Sequence, residues 1–352
     1  MMRKLANIIL GIIVAMLLVW ELPWLYNNYA VSFFHGDEIG GQPFTLYSGL
    51  ADDFIQNVNS GQGRRSVTGK EYTVEEADSL LPFFWTSQLI NAGRLPDTIR
   101  GRAVSPQLIR HTNINFNRRA YETHTNRPNC GLWILLESLP KRVNLDYPDD
   151  AFRFTDSGIE FVNMNTNTLK PKKSKLFTDA LLKKGFAFPV HELDGNPDTR
   201  KDYDEGYLLI DNERKMYHMK MTAGQPYVRR IEFDNDTVTP KFIFVTEFRS
   251  RCLRGMMTDE NNVLYAITPD YEVKPIGGSI HFDPTQNNMM IMGNMFDWTI
   301  RVTTAEAEEF YGVSALDYSL LKTFIAPYGS DPYLPGLHFT ETIDRWVKPR
   351  FN

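Results

Sequence analysis

The chain has 352 residues, 42% hydrophobic and 23% charged, which is enough for one large core or two smaller ones beside a membrane segment. A formal net charge of -5, without Lys/Arg clusters interleaved with aromatics, argues against a nucleic-acid partner. Its two cysteines, Cys130 and Cys252, build no metal-binding or CxxC spacing, and are either two buried small side chains or one long-range disulfide. The 16 Tyr and 23 Phe, with frequent Asn and Asp beside turn signals, favour many short strands over long helices.

Arg3 and Lys4 precede a run from Leu5 to Trp20 that only Asn7 interrupts, and apolar character resumes at Leu22, Trp24, Leu25 and Tyr26. A helix from Leu5 to Tyr26 would be about 33 Å long, enough to cross a hydrocarbon core of about 30 Å. Trp20, Trp24 and Tyr26 fall where an aromatic belt forms, and the basic flank predicts a cytoplasmic N-terminus with the rest exported. Glu-Leu-Pro-Trp follows the apolar core instead of a small-x-small cleavage site, so residues 1–28 read as an uncleaved transmembrane anchor that contacts lipid.

Residues 29–109 read as a mixed, partly helical region. Residues 27–70 look irregular apart from a short strand at Pro43 to Tyr47 and a turn at Gly61 to Gly63. Thr73 and Glu76 have capping-box spacing ahead of a helix. Pro82 kinks the path or opens a second helix that ends at Gly93. Leu80, Phe84 and Leu89 are expected to pack inward.

From Ile109 onward the period becomes two, with Ile114, Phe116 and Arg118 on one face and Trp133 to Glu137 as another strand. A strand–turn–strand unit then recurs around Asp156, Asp211 and Asp259, at separations of 55 and 48 residues. Further candidates at 227–233, 242–248, 271–276, 289–292 and 298–302 give about four strands per period, the size of a propeller blade. The fold class expected is therefore mainly β, with propeller-like antiparallel repeats over 110–302, an N-terminal transmembrane helix and small helical additions. An irregular antiparallel meander is the alternative. Residues 303–352 read as a helical and closing segment. Thr303 and Glu306, then Ser314 and Asp317, have capping-box spacing, and His338 to Ile343 is a last strand.

The metal candidate is the loop from Asp194 to Glu205. Asp194, Asn196, Asp198, Asp202 and Glu205 occupy positions 1, 3, 5, 9 and 12 of a calcium-loop register. Thr199 in place of the turn glycine, and Pro197 within the loop, favour a solvated acidic loop instead. None of the seven histidines forms HxH or HExxH, though His281 and Asp283 share a strand face. Asp149 and Asp150, or Asp202, Asp204 and Glu205, are candidates for a glycosidase-like acid pair. Lys170 to Lys175 carries four lysines, a solvated turn or a contact for anionic lipid or a partner. Neither a phosphate loop nor a dinucleotide fingerprint occurs, so the catalytic residues stay unassigned.

The segments LPWLYNNY (22–29), PFTLYSG (43–49), YTVEEADSLLP (72–82), GRLPDTIRG (93–101), LLESLPKRVNLDYPDDAFRF (135–154) and IEFVN (159–163) together resemble an uncharacterised family of membrane-anchored proteins from Bacteroides-like bacteria. The resemblance implies a domain of unknown function in a bacterial envelope, in the inner membrane with the main domain periplasmic. Such proteins are often encoded beside ABC-type transporter components, which makes a permease or ATPase complex the partner expected. The function expected is a non-catalytic accessory protein of membrane transport. The alternatives are an envelope carbohydrate hydrolase using paired carboxylates and a membrane-tethered ligand-binding module.

Overall fold

The computed structural model describes residues 2–26, 43–57, 63–126, 128, 131–141, 144–233, 237–278, 280–328, 337–338 and 350–351. Helix α1 (Met2–Leu25) is exposed along its apolar length, with Pro23 in its last turn, and is long and apolar enough to cross a membrane.

The segment expected to be irregular folds instead into a first sheet of β1 (Thr45–Ser48), β2 (Asp53–Asn57), β3 (Arg64–Ser66) and β4 (Glu71–Tyr72). Strand β1 overlaps the short strand expected at Pro43 to Tyr47, whereas β2 escapes a periodicity reading because most of it is buried on both faces and does not alternate. Helix α2 (Val74–Leu80) follows with the expected capping box: Thr73 Oγ1 accepts from Glu76 N, and Glu76 Oε2 accepts from Thr73 N. The helix expected from Pro82 is shorter, α3 (Thr86–Asn91), because residues 81–85 form turns. A tight hairpin pairs β5 (Thr98–Ile99) with β6 (Arg102–Ala103). Ile109, expected on a strand, lies in α4 (Pro106–Thr112), where Ser105 caps and Pro106 opens the helix. Strand β7 (Ile114–Arg118) and α5 (Ala120–Thr125) come next. Trp133 and Glu137 form only isolated bridges rather than a strand.

Three meanders then follow. The second sheet holds β8 (Asp150–Phe154), β9 (Ile159–Asn163) and β10 (Thr168–Leu169). The lysine run is not a turn between strands. It opens α6 (Pro171–Lys183), whose Phe177 and Leu181, one turn apart, are buried. The third sheet is β11 (Glu192–Gly195), β12 (Tyr207–Ile210), β13 (Met216–Thr222) and β14 (Gln225–Ile231). The fourth is β15 (Pro240–Val245), β16 (Gly255–Asp259), β17 (Leu264–Ile267) and β18 (Val273–Pro275).

The tail corrects the helical expectation. Residues 303–327 pair as strands in a fifth sheet, which adds β19 (Asn288–Gly293), β20 (Asp297–Thr303), β21 (Ala307–Ser314) and β22 (Leu320–Pro327) to β7. Thr304 Oγ1 accepts from Glu306 N and Ala307 N, so the apparent helix cap is a hairpin turn. Strand β20 then supplies a continuous ladder that outweighs the helix propensity of Ala and Glu. A last pair joins β23 (Leu337–His338) to β24 (Arg350–Phe351), and the rest of the expected strand at 339–343 lies outside the described residues.

The ladders within the five sheets are antiparallel, and the chain is mainly β with propeller-like repeats. Side-chain alternation along doubly buried strands feeds two cores at once. Leu209 packs toward the second sheet and Leu208 and Ile210 toward the fourth. Ile243 and Val245 meet the third sheet, whereas Phe244 meets the fifth. Tyr47 and Phe54 of the first sheet pack on Phe310 and Ala326 of the fifth. The repeat is visible at atomic level: Asp211 Oδ1 accepts from Glu213 N and Lys215 N, and Asp259 Oδ1 accepts from Asn261 N and Val263 N in the same way. Asp156 is exposed and does not share this role.

Candidate functional site

A cavity of about 250 Å³ opens where the first sheet meets the fifth. Five separate segments build it. The end of β1 and its turn give Leu46 to Leu50, the turns after α2 give Leu80 to Phe84, and the β5–β6 hairpin gives Ile99 and Arg100. Asn113 to Asn115 begin β7, and Met292 to Thr299 span the β19–β20 connection. The walls are mostly apolar, with the aromatic rings of Tyr47, Phe83, Phe84 and Phe296. Phe83 and Phe296 meet edge to face at 5.7 Å between centroids.

Hydrogen bonds hold the first and fifth sheets together here. Tyr47 N donates to Thr299 Oγ1 at 2.8 Å. Among the described residues, the ion pair facing the cavity is Arg100 Nη1 to Asp297 Oδ2 at 3.2 Å. Asp297 Oδ1 accepts from Asn294 Nδ2 at 2.9 Å, and the Gly49 backbone N–H also reaches this carboxylate. Burial raises the Asp297 pKa, against lowering by Asn294, Arg100 and Gly49. Gly49 is required by close approach, because a Cβ there would collide with Asp297 Oδ2 and Arg100 Nη1. Tyr47 Oη donates to Asp52 Oδ1 at 2.8 Å; burial first and this bond second push the phenol well above its usual range.

A family model described as a domain of unknown function, DUF4857, matches residues 44–313. The chain belongs to this family. All residues lining the cavity, from Leu46 to Thr299, fall inside the DUF4857 span. A search of curated proteins gives no match. Solved structures similar to this chain include the Dos1 propeller, at 11% identity and TM-score 0.28, covering 52% of this chain and 45% of that one. Another is the Cps50 (Swd1) beta-propeller domain of Myceliophteria thermophila, at 11% identity and TM-score 0.30, covering 62% of each chain. A third is Kuenenia stuttgartiensis hydrazine synthase, at 10% identity and TM-score 0.29, covering 61% and 52%. The chain thus spans roughly half to three fifths of the length of each of these structures.

The residues singled out from sequence lie elsewhere in the DUF4857 region, and the structure disperses them. In the calcium-loop register, Asp194 takes Arg118 and the Val245 N–H, Asn196 donates to Glu247, and Asp198 pairs with Arg200. Asp202 pairs with Arg249, and Glu205 with Arg254. Among the described residues no three His, Cys, Asp or Glu side chains gather as a metal site. Of the acid-pair candidates, Asp149 and Asp150 share Lys170, and Asp150 also takes Lys173 at 2.8 Å. Asp204 binds Lys201 at 2.7 Å and accepts from Ser138 Oγ, and Lys201 also reaches Glu247 at 2.6 Å. Burial raises the Glu247 pKa against the lowering effect of Lys201.

His281 and Asp283 do not orient each other: His281 Nδ1 meets Asn261 O, and Asp283 holds a turn through Thr285. His218, fully buried, bonds Tyr271 Oη and Glu205 O, and burial pushes its pKa down to about 4. Cys252 is a free, half-buried thiol, and Cys130 lies outside the described residues. Sequence reasoning missed the cavity because no motif marks it. The available signals were the two residues Arg100-Gly101 of a tight turn and an Asn three residues ahead of Asp297.

Proposed function

We propose that this chain is a non-catalytic, membrane-tethered binding module of a bacterial envelope, and that the cavity between the first and fifth sheets holds its ligand. The observation that carries this reading is the cavity itself: aromatic and aliphatic walls with a few convergent polar groups, the usual make-up of a small-molecule site. The carboxylates considered for glycan hydrolysis are instead held by lysines (Asp149, Asp150 and Asp204) or arginines (Asp202 and Glu205), which argues against the enzyme alternative. Arg3 and Lys4 in the first turn of α1, ahead of its apolar run, support a cytoplasmic N-terminus and a periplasmic β body. The test is thermal unfolding of the full chain in lipid nanodiscs against a panel of small apolar ligands. A ligand-dependent rise in Tm that vanishes in the cavity-filling variant Met292→Trp supports the reading. Glycan turnover lost in Asp204→Asn, with no ligand shift, overturns it.

A second reading, docking to an ABC-type transport complex, is supported by β22. This strand ends the fifth sheet among the described residues and exposes Leu320, Leu321 and Ile325, next to exposed Leu316 and Tyr328. An apolar sheet edge is a natural site for an added strand. A photo-crosslinker at Ile325 that recovers a permease from native membranes supports docking through this edge. Crosslinks confined to α1 remove it.

A further inference from the structure

Resting on the binding-module reading, the geometry points to the class of ligand: we propose that the cavity takes a single-chain amphiphile with a carboxylate head, its tail among Leu50, Phe83, Phe84 and Met292 and its head on the Arg100 guanidinium. Size sets the tail. An apolar cavity of about 150 Å³ accommodates benzene, so one of about 250 Å³ admits a body of roughly ten carbons.

Charge sets the head. Arg100 is the one cation lining the cavity among the described residues, and its side chain is 43% exposed. Only its Nη1 is bonded, to Asp297, so among the described residues its other N–H groups are open to a bidentate acceptor. Asp297 cannot compete for a cationic head on equal terms, because Asn294, Gly49 and Arg100 already occupy its oxygens. Tyr47 Oη is committed to Asp52. The Arg102 guanidinium lies 5.9 Å from the ring of Phe296, whose other guanidinium neighbour, Arg100, lies at 5.2 Å. Two positive charges therefore flank one lining aromatic, and Asp297 offsets one of them.

Backbone conformation gives an independent sign. The two-residue turn between β5 and β6 has Arg100 at φ 48 and Gly101 at φ 76. Such turns favour Asn, Asp or Gly at both positions, and a long side chain in the left-handed region is uncommon. Arg214 and Arg251 share this conformation elsewhere, but only at Arg100 does the turn place a guanidinium at the cavity.

The tether supplies the source. Sixteen residues, 27–42, link Tyr26, at the end of the anchor, to Pro43, and the link cannot span more than about 60 Å. The cavity thus works close to a membrane surface, where single-chain lipids partition.

The test is titration calorimetry on the full chain in nanodiscs, with empty nanodiscs subtracted, using decanoate, decanol and decyltrimethylammonium. Decanoate is expected to bind at least tenfold more tightly than the other two. Arg100→Gln should remove that advantage and Arg100→Lys should keep part of it, while Arg153→Gln, on the surface of β8, should change nothing. Thermal melts of each variant show that it is folded. Equal binding of decanol and decanoate, or preference for the ammonium, overturns the head-group assignment while leaving the binding module intact. Absence of binding by all three, and by every other apolar ligand of the panel, overturns the module itself.

Discussion

Removing the two repeated turn aspartates should have unequal effects, and the structure fixes the order. Asp211 Oδ1 accepts from Glu213 N at 2.9 Å and Lys215 N at 2.8 Å, and its Oδ2 accepts from Ala187 N at 3.0 Å. Asp259 accepts two backbone N–H groups through Oδ1, at 3.0 and 2.8 Å, but only a long contact from Tyr265 Oη through Oδ2. Both residues are buried. At about 1.5 kcal/mol for each hydrogen bond to a charged acceptor, Asp211→Ala costs about 4.5 kcal/mol and Asp259→Ala about 3 kcal/mol. With an unfolding entropy of about 2.1 cal/mol/K per residue over 352 residues, these correspond to losses of about 6 °C and about 4 °C in Tm. The assay is thermal unfolding of the full chain in detergent micelles at one scan rate, followed by tryptophan fluorescence. Asparagine sharpens the comparison. Asp259→Asn keeps the Oδ1 acceptor and should be mild, whereas Asp211→Asn turns an amide donor toward the Ala187 N–H and should remain costly. Losses below 1 °C for both alanine variants, or a larger loss at Asp259, would refute the reasoning.

Three more outcomes follow from the same contacts. His218 titrates near 4 when folded and near 6.5 when unfolded, so falling pH protonates the unfolded chain first and removes about 3 kcal/mol of stability between pH 6.5 and pH 4. The stability gap between wild type and His218→Gln should therefore shrink as pH falls through that window in urea titrations, and a gap constant with pH contradicts this. Millimolar calcium should move Tm by less than about 1 °C, because the five loop side chains already have separate partners; a larger rise lost in Asp194→Ala would restore the cation site. A reporter fused after Asn352 should be active only outside the cytoplasm, and activity inside would reverse the orientation drawn from Arg3 and Lys4.

The features legible in the sequence are those whose determinants are local. The hairpins around Asp211 and Asp259 announce themselves because the turn is closed by a side chain two and four residues from its own backbone partners. The capping box at Thr73 is equally local. The tail reads as helix because Ala305 to Glu309 has helix-forming composition, and only pairing with the β20 and β22 ladders decides otherwise. The same holds for α6, where lysines suggest solvent until Asp149 and Asp150, some twenty residues earlier, are seen to pair with them. The cavity was illegible for a stronger version of this reason: its ion pair joins residues 197 apart in the chain.

Strand β7 waits for β19, with Phe116 opposite Ile291, and Tyr47 waits for the hydroxyl of Thr299. At about 5–20 residues per second of synthesis, the third and fourth sheets have time to close on themselves before those partners emerge. The cavity's wall from Met292 to Thr299 arrives after them. Any chain cut short before that point lacks the pocket. Ligand capture would then serve as a completeness check, a property that only a fully synthesised and unclipped molecule possesses.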